Sequence, residues 1–426
     1  MPPKRVVVRI LVVTTEPLPL PGCMTTGAGL RAWGLVEGLR ASGFEVEPAM
    51  AEDAVKGFSP TARAEVAPYL FARERLTEHV RERAPDVLVM QHWGLMNRLG
   101  RVDCPLAMDL AGPHLLERRY WGSPNPARDL DEKLSALRRA DFLTCSGRFQ
   151  RHYFLGFAAL AGFDPAAPDL LPVIPFSVSP DLPYVNGHDP LAFVYTGMFL
   201  PWQDPRIGIE AVLSVLEKRQ KGSLKFVGAL HPAGHVPLGD FREILERVGR
   251  SPRASIEDAM PFDELQRLLR GCGVALDLMS YNPERELAFT SRTVVYLSCG
   301  LPVIYNNYSE LSGLIAEYEA GWCLDPEDSA GVAALTEHLL DDPVEVEIRR
   351  ECARRLVRER LTWNKTIVPL VKWCKSPAVR EGKDSPFGGE SVLDVTRRLG
   401  ESQEALRELK GRRLVRLSNY LRRFRG

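Results

Sequence analysis

The sequence predicts an α/β protein made of two doubly wound domains in tandem, with a helical tail behind them. Three observations carry this. Continuous apolar runs such as 8–16, "VRILVVTTE", have the make-up of strands buried on both faces of a parallel sheet. The runs alternate with segments whose apolar residues recur at helical spacing. The alternation halts at "YVNGHDP", 184–190, and then begins again. The expected units are 1–183, 184–355, a helical segment at 356–376 returning toward the first domain, and a linker with a basic helix at 377–426.

Each element has its own signal. After the first strand comes a Pro- and Gly-containing loop, then "LRAWGLVEGLRASG" at helical spacing, ending on Gly43 as a C-terminal stop. "FEVEPAM" is the next strand. "ERLTEHVRERAP" reads as a helix, "DVLVMQH" and "CPLAMDLAGPH" as strands, "LDEKLSALRRA" as a helix and "DFLTCSG" as a strand. A last strand of the first half is expected in "DLLPVIPFSVSPDLP". The second half runs "LAFVYTGM" (strand), "DPRIGIEAVLSVLEKRQ" (helix), "GSLKFVGAL" (strand), "PFDELQRLLRGC" (helix) and "GVALDLMS" (strand). "SRTVVYLSCGLPVIYNN" is a helix, a Gly-Leu-Pro break and a buried strand. Helices close the half at "AGVAALTEHLLDD" and "PVEVEIRRECARRLVRER", and "PAVREGKDSPFGGE" reads as a flexible linker.

Composition narrows the function. Hydrophobic residues make up 45% and charged residues 26% of 426, an ordinary globular balance. Formal net charge is zero, which gives no global attraction to nucleic acid. The 8 cysteines include no Cys-x-x-Cys pair and no neighbouring His cluster, so a reducing cytosol without disulfides or zinc is expected. "MPPKRVVVRILVV" is short, β-branched and interrupted by Arg9, and reads as a first strand rather than a signal peptide. No stretch approaches the ~20 apolar residues that span a bilayer.

Four segments in order carry a resemblance: "GAGLRAWGLVEGLRASGFEV", "DLAGPHLLE", "CSGRFQR" and "SRTVVYLSCGLPVI". Over roughly 8–375 the chain resembles family 4 of the GT-B glycosyltransferases, most closely a bacterial surface-polysaccharide subset. The resemblance implies two Rossmann-like domains with a ligand cleft between them. It implies transfer of a sugar from a nucleoside-diphosphate sugar to a glycan or lipid-linked acceptor, with retention at the anomeric carbon. The nearest pairs to an Asp-x-Asp metal motif, "DLDEK" and "ALDLM", lack its context, so neither a metal nor any cofactor beyond the donor substrate is expected.

Gly27 and Gly29 precede the first helix, where a backbone can approach phosphate closely; an ordinary βα turn is the plainer reading. Arg31 is an acceptor candidate or a solvated first-turn residue. His114, after a strand end, matches the family's His beneath the donor sugar, and Asp109 would orient it or meet acceptor. Ser146, Arg148, Arg151 and His152 follow another strand end, and Arg148 is placed with the acceptor.

The second half departs from the family. Its usual diphosphate-gripping Arg and Lys fall near Phe199 and Gln203 or Asp204, so Trp202 and Asp204 become nucleotide-side candidates. Asp204 capping the next helix is the plainer reading. The two family Glu residues fall on Leu287 and Val295; Glu286 or Glu284 can replace the first, and nothing replaces the second. Arg292 then becomes the diphosphate candidate, grouped with Ser291 and Thr293. A cation at a helix start is unfavourable unless an anion lies beside it.

Residues 409–426 hold seven Lys or Arg and no acid, with Leu414, Leu417, Leu421 and Phe424 on one helical face. This suits an anionic membrane surface, a partner chain or a solvated tail. The expected location is cytoplasmic, peripheral on the inner face of the cell membrane. The missing basic pair and Val295 keep a non-catalytic binding subunit open, with a sugar-nucleotide epimerase behind it.

Overall fold

The computed structural model describes residues 7–183, 187–229, 241–381, 383 and 402. The first sheet holds β1 (Arg9–Thr14), β2 (Glu45–Ala51), β3 (Leu70–Phe71), β4 (Val87–Gln91), β5 (Leu106–Leu110) and β6 (Phe142–Cys145) in the order 3-2-1-4-5-6. The second holds β7 (Ala192–Met198), β8 (Ser223–Ala229), β9 (Ala254–Glu257), β10 (Val274–Asp277), β11 (Val303–Asn306) and β12 (Gly321–Leu324) in the order 12-11-10-7-8-9. Every strand pairing is parallel. Both sheets are wound alike: the next two strands grow to one side of the first, and the last three to the other. The direction therefore reverses between β1 and β4 and between β7 and β10. Ligands of open parallel sheets bind at such switch points, beyond the carboxyl ends of the strands.

The central strands are apolar because helices cover both of their faces. Ile10, Leu11, Val12 and Val13 of β1 are all buried, as are Ala192–Tyr195 of β7. Leu35, Val36 and Leu39 of the helix Gly27–Ala41 pack under β1 with Val87 and Val89 of β4. In the second half, Val294, Tyr296 and Leu297 of the helix Ser291–Ser298 join Val303 and Tyr305 of β11. The helix and strand expected in "SRTVVYLSCGLPVIYNN" are both formed, with the Gly300 break at φ +78° between them.

The segment after the second sheet crosses back. The helices Trp363–Thr366 and Val368–Cys374 place Ile367, Leu370 and Cys374 in the apolar cluster beneath β1. Gly38 lets this approach happen: a Cβ there would stand 2.9 Å from that of Ile367. Trp373 stacks on Phe142 of β6, with ring centroids 5.0 Å apart.

Several expectations need correction. "DLLPVIPFSVSPDLP" forms no named strand; it makes single bridges, Val173 beside Cys145 and Val178 beside Thr362. Its prolines cannot donate to a ladder, which keeps it irregular. Three strands went unread: β3 has only two residues, β9 is a half-exposed edge strand with little apolar pattern, and β12 is a four-residue edge strand. The start of the expected linker is anchored, since the Arg380 backbone N–H donates to Asp141 at 2.8 Å. The Arg380 guanidinium donates to the carbonyls of Arg138, Ala140 and Gly162. The expected basic helix at 409–426 lies outside the described residues.

Ile367→Ala should leave a cavity between the returning helices and the first domain. A loss of about 2–5 kcal/mol is expected in urea unfolding. Unchanged stability would mean that this packing does not hold the return segment.

Candidate functional site

The two switch points face each other through two helix starts. Thr14 at the end of β1 donates its hydroxyl to Gln91 at the end of β4, at 2.5 Å. Gln91 in turn donates to the Ala28 carbonyl at 2.5 Å, fastening the Gly27–Ala41 helix over the switch point. Thr26 caps that helix by accepting from the Gly29 N–H at 3.0 Å. Gly27 meets the second domain directly: a Cβ there would lie 2.3 Å from the Ser291 hydroxyl oxygen. Ser291 opens the Ser291–Ser298 helix, and Thr290 before it makes no side-chain cap bond. The backbone N–H groups of an uncapped first turn seek an acceptor. So the positive end of one helix dipole sits against the start of another. Gly29 has a structural cause instead, because a Cβ there would lie 1.9 Å from the Pro17 carbonyl oxygen.

Arg31 and Asp109 are not free for acceptor. Both are buried and form a two-pronged ion pair at 3.0 and 2.9 Å. Arg31 also donates to the Ile174 and Pro175 carbonyls, and Asp109 accepts from Thr144 at 2.7 Å. The pair ties the first helix to β5, β6 and the irregular segment behind them. The structure places Arg31 in this buried pair, and His114 pairs with Glu117 rather than with Asp109.

His114 stands at the first position of the helix His114–Tyr120, mostly buried. Its Nδ1 lies 2.9 Å from Oε2 of Glu117, one helical turn on. His92 packs edge-on against it, ring centroids 4.2 Å apart, and Trp93 and Trp121 flank it at 5.6 and 5.8 Å. Burial drives the His114 pKa down to about 3, helped by the charges of Arg118 and Lys133, so the ring is neutral. Burial pushes the Glu117 carboxyl up to about 7, against the pull of Arg285 and Lys133.

Two further groups complete this cluster. His92 follows β4 with φ 73° and ψ 141°, a conformation that costs a non-glycine residue about 1–3 kcal/mol. Its Nδ1 accepts from the Gly94 N–H at 3.0 Å, so the neutral ring carries its proton on Nε2, which is buried without a partner. Lys133, from the helix Pro126–Arg138, is fully buried and its Nζ makes no hydrogen bond. It rests among the rings of Phe157, Phe154 and Tyr153, at 4.0, 4.5 and 5.1 Å. Burial lowers its pKa to about 7.

On the second domain, Arg292 lies across the end of β7. A Cβ on Gly197 would stand 2.2 Å from its guanidinium, so only glycine admits it there. Its charge is met by Asp277 at the end of β10, at 3.2 Å, and its guanidinium donates to the side-chain Oε1 of Gln203 at 2.6 Å. The guanidinium also covers the Tyr195 ring at 5.0 Å. The anion expected beside this helix start is therefore the chain's own Asp277. Thr293 is fully buried and donates to Asp277, which removes it from ligand contact. Val295 is buried in the apolar cluster.

The remaining candidates divide. Trp202 is buried and faces Trp121 and Tyr120 of the first domain, at 5.8 and 6.3 Å. Asp204 is held by Arg206, accepting from its backbone N–H at 3.1 Å and from its guanidinium. Glu286 accepts from the exposed Tyr281 at 2.8 Å. Glu284 is the buried carboxylate instead, paired with buried Arg285 at 2.5 Å. Arg148 is largely exposed and lies 3.5 Å from Glu310 of the second domain. Glu310 also accepts from the Phe149 N–H at 3.0 Å, filling the start of the helix Arg148–Leu160. A carboxylate so placed contributes about 0.3–2 kcal/mol to holding the domains together. Among the described residues, no group of three or more His, Cys, Asp or Glu is placed to hold a metal ion, and no helix is long and apolar enough to cross a membrane.

Solved structures share this architecture. Sucrose-phosphate synthase from Thermosynechococcus elongatus superposes with a TM-score of 0.63 at 15% identity, over 86% of this chain and 98% of that one. An alpha-glucosyltransferase in complex with UDP-glucose and DNA gives 0.58 at 14% identity, over 87% and 100%. A glycosyltransferase from Rickettsia africae gives 0.57 at 13% identity, over 88% and 100%. The fold is that of the GT-B glycosyltransferases. No protein-family model matches the chain, and no curated protein matches it.

Among the residues described above, sequence reasoning missed His92, Glu117, Lys133, Asp277 and Glu310. Two had a readable signal. Glu117 lies one helical turn after His114, and Lys133 falls on the stripe of Leu130, Leu134 and Leu137.

Asp109→Asn should leave Arg31 buried without its counter-charge. A loss of about 3–5 kcal/mol is expected in chemical denaturation, largely recovered in the Arg31→Met, Asp109→Leu double variant. Lys133 supplies a pH test. The folded chain binds its proton only below about pH 7 and the unfolded chain up to 10.5, so its burial opposes folding most below pH 7. Lys133→Met should therefore raise Tm at pH 7, and calorimetry should show the gain shrinking toward pH 10.5.

Proposed function

We propose that the chain is a glycosyltransferase that moves a sugar from a nucleoside-diphosphate sugar to a glycan or lipid-linked acceptor. The observation that carries this reading is the uncapped start of the Ser291–Ser298 helix abutting the start of the Gly27–Ala41 helix. Backbone N–H groups and a helix dipole are a site for phosphate, and two such ends meet at this seam. The alpha-glucosyltransferase of the same fold has been seen with UDP-glucose, which supports a nucleotide-sugar donor.

In the proposed reaction the bond from the anomeric carbon to the diphosphate oxygen breaks, and the acceptor oxygen bonds to that carbon. The diphosphate leaves with the bonding electrons, and its charge falls on the seam, with the Arg292 guanidinium close behind. His114, neutral and oriented by Glu117, is the group set beside the donor sugar. Under retention, which the family 4 resemblance implies, the acceptor proton passes to the departing phosphate oxygen. Independence of metal, a role in bacterial surface-polysaccharide synthesis, a cytoplasmic location and docking of 409–426 on an anionic membrane complete the proposal.

A second reading has specific support. Arg292 is neutralised by Asp277, and Val295 stands where family 4 has a ribose-binding Glu. A GT-B-shaped subunit that binds without transfer fits both.

Titration calorimetry with UDP-, GDP- and dTDP-sugars should reveal one nucleotide that binds, and incubation with it should release free nucleoside diphosphate slowly. Gly27→Ala forces a side chain against the Ser291 hydroxyl and should weaken that binding at least tenfold. Binding without any turnover would favour the second reading. No binding to any donor would overturn the first reading and leave the second.

A further inference from the structure

We propose that Tyr120 and Trp121 form a saccharide subsite, which takes a pyranose ring of the acceptor against their exposed rings beside His114. Among the described residues, the exposed aromatic side chains are Tyr120, Trp121 and Tyr281. Trp121, at 39%, is the most exposed of the 7 tryptophans. Tyr120 and Trp121 both stand against the buried Trp202 of the second domain, with ring centroids 6.3 and 5.8 Å from it. Trp121 also meets His114 edge to face at 5.8 Å. Tyr281 precedes Asn282, whose side chain donates to the Trp202 carbonyl at 2.8 Å. The exposed aromatic residues thus gather on the segments around Trp202, where the two domains meet.

The two rings sit on a fastened turn. The N–H groups of Trp121, Gly122 and Ser123 donate back to the carbonyls of Glu117, Arg119 and Arg118 at 3.0, 3.1 and 2.9 Å. Gly122 takes φ +77°, the left-handed residue that stops a helix, and a Cβ there would meet nothing within 4 Å. The Ser123 hydroxyl donates to Asp129 at 2.6 Å, and Asn125 caps the following helix. Rings held in this way lose little conformational entropy when a ligand covers them. A pyranose suits them. One of its faces is made of C–H groups with slight positive charge, which complements the negative face of an aromatic ring. Its hydroxyls point to the edge, where they need polar neighbours. The chain supplies Arg119 on one side of the pair and Ser123 and Asn125 on the other. An apolar patch rimmed by polar residues is the mark of a ligand groove. A membrane would need rings that project clear of the fold, and these two lie against Trp202. An apolar partner would need a continuous apolar surface, whereas exposed aliphatic side chains such as Leu160, Val344 and Ile348 lie on other elements.

The inference rests on the proposed function for one point, that the bound saccharide is an acceptor: Trp121 touches His114, the group set beside the donor sugar. The test needs no donor. Protein labelled with 5-fluorotryptophan gives 19F NMR signals from its 7 tryptophans, and Trp121→Phe identifies that of Trp121. Titration with maltose, cellobiose, lactose and chitobiose should shift the Trp121 signal saturably with at least one of them. Trp121→Ala should weaken the binding of that disaccharide about 2–10-fold in calorimetry, the loss expected for one aromatic face. Trp121→Phe, which keeps a ring, should retain most of it. A Trp121 signal unmoved by every disaccharide would overturn the inference. So would a signal moved by uridine monophosphate, or by phosphatidylglycerol vesicles, and by none of the saccharides. If a disaccharide binds at Trp121 but no nucleotide-sugar binds, the subsite stands and the glycosyltransferase reading fails. If a nucleotide-sugar is turned over and no disaccharide reaches Trp121, the reading stands and the subsite fails.

Discussion

The contact on which the rest of the structure turns is the meeting of Gly27 with Ser291. Two helix starts, one above each switch point, approach until a single methyl group would not fit between them. Such an approach is electrostatically unfavourable by itself, because both dipoles present their positive ends. Other contacts hold the domains against it. Glu310 reaches the start of the Arg148–Leu160 helix, Trp202 packs on Trp121, and the Phe262 N–H donates to the Cys23 carbonyl at 3.0 Å. The returning helices sew the second half onto the core beneath β1. The seam is thus a place where positive potential is concentrated by the fold, and one of its two helix starts has no capping side chain.

Elsewhere the same chain neutralises itself. Arg31 meets Asp109, Arg292 meets Asp277, Arg285 meets Glu284, and Arg148 lies beside Glu310. Buried charges need such partners, since an unpaired one is far costlier than a lost surface contact. The consequence is a division of labour. Arginines fix the frame, whereas backbone N–H groups at the seam keep their capacity for an anion. The cluster around His114 is one exception within the first domain. There His92 Nε2 and Lys133 Nζ are both buried without partners, and His92 is held in a strained backbone conformation. Polar groups left in that condition mark positions retained for chemistry rather than for stability.

The sequence made the frame legible where one physical rule dominated. Long apolar runs announced β1, β4, β5 and β7, and helical spacing announced the helices between them. β3 and β9 escaped because two residues carry no pattern and an edge strand need not be apolar. His114 and Arg292 were legible as positions near strand ends and helix starts. Their partners were harder. Arg31 and Asp109 lie 78 residues apart, so nothing local pairs them. Asp277 was visible as the acid closing an apolar strand, but only the register of β7 and β10 brings it under Arg292. The choice of Glu284 over Glu286 depends on the rotation of one short helix, which spacing alone does not set.

The central claim is that the Gly27–Ser291 seam receives a diphosphate, and a crystal structure with a nucleoside diphosphate tests it most directly. The account predicts phosphate oxygens within hydrogen-bond distance of the backbone N–H groups at the start of the Ser291–Ser298 helix and of the Gly27 turn. A nucleotide bound with its phosphates away from both helix starts would contradict it.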